Sequence, residues 1–84
     1  MLLPQVREAL EIIRDCQDRE QAQFLLEVMG YSVVHQAYVY VASGSYRVLE
    51  LSEDGVRWLN DDYLMSWTKL PWGDIGPFLA RSKK

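Results

Sequence analysis

The chain has 84 residues, of which 49% are hydrophobic, 25% charged and 12% aromatic, with a formal charge of -3. This length leaves room for one domain, residues 1–84, and for little scaffold behind a conventional enzyme cleft. Five glycines and three prolines exclude a fibrous repeat or a long disordered tract, and the acidic balance disfavours a strongly electrostatic nucleic-acid binder.

The opening Met1-Leu2-Leu3 is stopped by Pro4 and followed by Arg7. That is too short an apolar run for a signal peptide or a membrane span, and no membrane association is expected. From Pro4 to about Cys16, the positions Val6, Ala9, Leu10, Ile13 and Cys16 recur at three- and four-residue steps, the spacing of one helix face. Arg7 and Glu11, and Arg14 and Asp18, are four apart and would pair across the exposed side if the helix runs that far. Asp18 with Gln21 three places on has the spacing of a capping box for a second helix. The buried face of that helix is expected to be Ala22, Leu25, Leu26 and Met29, with Gly30 as a left-handed C-cap and Tyr31 as its hydrophobic follower. Residues 1–30 therefore read as a helical hairpin.

Beyond the link Ser32-Val33-Val34 and His35-Gln36, the pattern turns to alternating β-branched and aromatic residues. Ala37, Val39 and Val41 alternate with Tyr38, Tyr40 and Ala42. Ser43-Gly44-Ser45 reads as a turn, followed by a strand from Tyr46 to Leu51 with Tyr46 and Val48 on one face and Arg47, Leu49 and Leu51 on the other. Glu53-Asp54-Gly55 signals another turn and a third strand from Val56 to Asn60. A helix capped by Ser52 and carrying Val56, Leu59 and Tyr63 competes for residues 52–67, but Gly55 and the regular spacing of turns favour strand. Residues 37–68 are thus a small antiparallel meander of three or four strands. Residues 69–84 form an aromatic, proline-punctuated basic tail in which Asp74 caps a short helical turn through Phe78, Leu79 and Ala80. The expected fold class is α+β, a helical hairpin packed on the meander.

Candidate chemistry is sparse. Cys16 falls on the apolar face of the first helix and reads as a buried small hydrophobe, and a lone cysteine points to a cytoplasmic setting rather than a disulfide-stapled secreted one. His35, the single imidazole, lies at a loop-to-strand junction without a nucleophile placed beside it. Glu53, Asp54, Asp61 and Asp62 lack the spacing of a calcium loop, so neither a metal nor a cofactor is expected. Gly73-Asp74-Ile75-Gly76 is too short to cradle a dinucleotide.

The informative residues are the large aromatics Trp58, Tyr63, Trp67, Trp72 and Phe78, concentrated in the last third of the chain. With Pro71, Pro77 and Lys69 they have the make-up of a partner-binding surface. A non-catalytic protein-binding module is expected, an adaptor, regulatory subunit or inhibitor. It would insert Trp67, Trp72 or Phe78 into a partner groove or pair an exposed hairpin edge with a partner strand, a homodimer being the simplest case. Charge supports such recognition: residues 1–30 and 31–68 each sum to -3, whereas 69–84 sum to +3. The alternative is a winged-helix-like nucleic-acid-binding regulator with its wing at Ser43-Gly44-Ser45. Its reading helix would carry Gln21 and Gln23 but only Arg19 as a cation beside Glu20 and Glu27, which disfavours it.

Overall fold

The computed structural model describes residues 3–34, 38–44, 46–59 and 67–82. Two helices, α1 (Pro4–Ile12) and α2 (Arg19–Val28), precede five strands, and a third helix, α3 (Ile75–Ser82), closes the described chain. The strands are β1 (Ser32–Val33), β2 (Val39–Ser43), β3 (Tyr46–Leu51), β4 (Gly55–Leu59) and β5 (Trp67–Pro71). They form one antiparallel sheet in sequence order, a meander of five strands rather than three or four. The class is α+β. The two additional strands lie where propensity is weakest: β1 is two residues long, and β5 ends on Pro71, inside the segment read as tail.

Both N-terminal helices begin and end for local reasons. Pro4 opens α1, where its missing N–H would have no partner in any case. The helix stops at Ile12, so Arg14 and Asp18 lose the helical spacing that would have paired them, whereas Arg7 and Glu11 stand 3.9 Å apart. Asp18 caps α2 by accepting a hydrogen bond from the Gln21 N–H at 2.9 Å, while the Gln21 side chain accepts from the Gln17 N–H at 2.8 Å. At the other end Gly30 adopts φ 100°, and the bonds Tyr31 N–H to Leu26 O and Gly30 N–H to Glu27 O close a Schellman motif.

Register divides the sheet into two faces. Val39, Leu51, Val56 and Leu70 stand side by side across β2 to β5, as do Val41 and Leu49, and together with Trp58 they point inward. Tyr40, Glu50, Arg57 and Lys69 form the corresponding row on the outer face. Strict alternation along β3 fails at one point: Val41 opposes Leu49 but Ala42 opposes Arg47, so Val48 is the extra residue of a β-bulge. The bulge turns Arg47 outward, away from the side of Leu49 and Leu51 on which simple alternation would place it.

The helices cover the inner face. α1 touches β3 and α3, and α2 touches β1 and β3. Leu10, Ile13, Leu26, Leu49, Leu51, Trp58 and Ile75 are almost completely buried in one continuous core. The outer face of the sheet has no helix against it among the described residues. No helix among them is long and apolar enough to cross a membrane.

Candidate interaction surfaces

The five aromatics singled out from the sequence do not form one patch. Trp58 is 1% exposed and sits on the inner face of β4, its ring meeting that of Phe78 edge-on at 5.4 Å. This is a core position, and Trp58 presents nothing to a partner. Phe78 is half-buried against the same core. Trp72, also half-buried, donates its indole N–H to Ser52 O at 3.0 Å and its backbone N–H to Asp54 O at 3.4 Å. It therefore clamps the Ser52–Gly55 turn, within which the Ser52 hydroxyl bonds Gly55 O at 3.1 Å. Tyr63 lies outside the described residues, as do His35, Asp61 and Asp62. Trp67 alone of the set is both described and exposed, at 42%.

Trp67 belongs to an aromatic and cationic cluster on the outer sheet face. The Arg57 guanidinium lies between the Tyr38 and Trp67 rings, 4.7 Å from each centroid. Its Nε donates to the Glu50 carboxylate at 2.6 Å. Glu50 is 3% exposed and paired with this guanidinium, and the hydrogen bond raises the Arg57 pKa against the opposing effect of desolvation. Arg47 stacks on Tyr40 at 4.5 Å. Lys69, directly opposite Arg57 on β5, is exposed. Among the described residues the face thus combines three cations with one carboxylate, and Arg57 and Arg47 lie against its rings.

A second surface lies on α2 and departs from the expected burial. Ala22 and Leu26 are fully buried as expected, but Leu25 is 37% and Met29 60% exposed. Phe24 and Val28 are exposed as well, at 65% and 64%. The helix turns only a narrow side to the core, because it packs on the short β1 and on β3, and Arg19 and Gln23 take the half-buried flank. Phe24, Leu25, Val28 and Met29 consequently form a stripe at i, i+1, i+4 and i+5 that faces solvent. Exposed Glu20 and Glu27, seven residues apart, line one side of it. The signal was legible: α2 carries more apolar residues than one core-facing stripe uses, and Phe24 and Val28, four apart, lie on the side of the helix opposite Ala22 and Leu26.

Strand edges are less available than the sequence suggests. β1 and β4 flank the β2–β3 hairpin, but β4 pairs with β3 only at Glu50 and Leu51, so among the described residues the hairpin's open edge is confined to the first part of β3; the sheet's outer edges are β1 and β5. β5 carries Lys69 and Pro71, two residues that oppose strand addition. A cavity of about 530 Å³ opens beside the start of α1 where β3 and β4 part, lined by Leu3, Val6, Leu49 and Trp58 from the core side and by Arg47, Glu50 and Trp67 from the outer face.

Cys16 is buried, and that burial, with Asp18 and Asp15 nearby, pushes its thiol pKa above 9.0. Among the described residues no three His, Cys, Asp or Glu side chains are grouped so as to hold a metal ion. No known protein family matches the chain, and no curated protein or solved structure is significantly similar to it.

Proposed function

We propose that this chain is a small non-catalytic protein-binding module, an adaptor, regulatory subunit or inhibitor working in the cytoplasm. The observation that carries this reading is the solvent-facing stripe Phe24, Leu25, Val28 and Met29 on α2. Its apolar area is roughly 400 Å², about the size of the largest patch on a typical monomer and often functional when it occurs. Trp67, on the outer sheet face, is the C-terminal aromatic that supports a second contact. The partner-binding residues in this reading are therefore Trp67 and the α2 stripe, with Trp72 and Phe78 holding the framework that presents them.

The test is capture of bound proteins from extract of the native cell by wild type, by Phe24→Ser plus Val28→Ser, and by Trp67→Ser. Loss of a captured protein with either folded variant is the expected result. Undiminished capture by both, with circular dichroism unchanged, would sink the proposal.

Nucleic-acid binding is a second reading, favoured by the outer sheet face rather than by α2. Arg19, the lone cation of α2, is engaged with Glu53 at 3.1 Å, whereas Arg47, Arg57 and Lys69 share the open sheet with Tyr38 and Trp67. Single strands stack on such faces, and their binding is strongest at low salt. Absence of oligonucleotide binding at low ionic strength removes this reading.

A further inference from the structure

The two faces left uncovered among the described residues are opposite in charge and alike in carrying exposed apolar surface. On α2 the stripe of Phe24, Val28 and Met29 is bordered by Glu20 and Glu27, both exposed and neither in an ion pair among the described residues. On the sheet, Tyr38 and Trp67, 43% and 42% exposed, are interleaved with Arg47, Arg57 and Lys69, of which only Arg57 has a carboxylate partner among the described residues. We propose that these faces bind each other between copies of this chain, the acidic α2 stripe of one copy docking on the basic aromatic sheet face of the next. The inference rests on the protein-binding reading above and names the partner as a second copy.

Charge decides in favour of this head-to-tail contact over a symmetric one. In an antiparallel α2–α2 pair the flank carrying Glu20 and Glu27 meets the same flank of the other copy, setting like charges side by side. Two sheet faces brought together would likewise set Arg47 and Lys69 against cations. Only the unlike pairing places carboxylates against cations while burying aliphatic and aromatic surface on both sides. Because the two faces are different patches of one molecule, a docked pair still has one free face of each kind, the sheet of one copy and α2 of the other. The contact therefore propagates into a ring or an open filament rather than stopping at a dimer.

Analytical ultracentrifugation of the wild-type chain at low and high salt, combined with two double variants, tests the proposal. At low ionic strength the wild type should rise in mass with concentration past the dimer, and 0.5 M salt should shift it towards monomer. Phe24→Asp plus Val28→Asp removes the helix face, and Arg47→Glu plus Lys69→Glu removes the sheet face while leaving the Arg57–Glu50 pair intact. Each variant, folded by circular dichroism, should be monomeric alone. An equimolar mixture should form a 1:1 complex that grows no further, since it contains one intact helix face and one intact sheet face. A wild type that stays monomeric at millimolar concentration and low salt overturns the proposal, as does a variant that still dimerises by itself or a mixture that remains monomeric. If wild type is monomeric yet loses a captured protein on Phe24→Ser plus Val28→Ser, self-docking fails while the protein-binding reading stands.

Discussion

Gly55 holds its place because two strands come together on it. A Cβ there would lie in clash with Leu70 O and 2.7 Å from Pro71 Cα, and both are backbone atoms that a side-chain rotation cannot move. Gly55→Ala should therefore cost about 2–4 kcal/mol, the range of forced backbone displacement, measured by urea unfolding. Trp72 acts on the same turn from the opposite direction. Trp72→Phe keeps the ring against the core but removes the bond to Ser52 O, and a loss of about 1 kcal/mol is expected in the same measurement. Neither effect was legible in residue identity. Asp54-Gly55 announced a turn, yet the indole that clamps it comes from twenty positions further along the chain, a separation that local propensity does not register. Cys16 is buried as expected, but not on a face of the first helix: α1 ends at Ile12, and Cys16 lies in the connection to α2.

Among the elements, α2 shows what periodicity conveys and where it stops. The cap at Asp18 and the Gly30 stop were readable because side-chain and backbone chemistry within a few residues determines them. Which apolar residues the helix buries depends on what it packs against, and the two-residue β1 offers too little surface to cover Leu25 and Met29. The stability of the folded monomer should reflect this division. Leu26→Ala removes a fully buried side chain and should cost 2–5 kcal/mol, roughly the range for core leucines. Phe24→Ser and Val28→Ser should each change stability by no more than about 0.5 kcal/mol. Chemical denaturation of dilute samples, where association is absent, makes the comparison. In the sheet, β3 and β4 are legible in the sequence, since alternation, Gly55 and the turn chemistry are local signals. β1 and β5 escaped notice because two residues make no pattern and a terminal proline argues against a strand.

At the scale of the whole molecule, charge is sorted by layer more than by position along the chain. The sequence divides into an acidic body and a basic tail, but folding brings Arg47 and Arg57 from the body beside Lys69 from the tail, on the side of the sheet away from the helices. That sorting depends on strand register and was out of reach of a linear sum. Stability should also depend on pH at the alkaline end. Burial, together with the Glu8 charge and a hydrogen bond to Glu8, raises the Tyr31 pKa above 10.0, and burial raises that of Cys16 above 9.0. A pKa raised in the folded state contributes stability that is intact below the unfolded value and is lost as pH climbs through the folded one. The melting temperature should thus decline from about pH 9 upward, and Cys16→Ala should reduce the decline that begins nearest pH 9.

The bulge at Val48 bears on how the chain tolerates changes of length. In β3 the residues on either side of Val48 already read as a clean alternation, Arg47 outward, Leu49 inward, Glu50 outward and Leu51 inward. Val48 is in this sense an insertion that the sheet absorbs at one point. A chain shortened by that residue keeps Arg47 with the cations and Leu49 in the core, whereas loss of one residue between Leu49 and Leu51 would put the preceding part of the strand in the wrong frame.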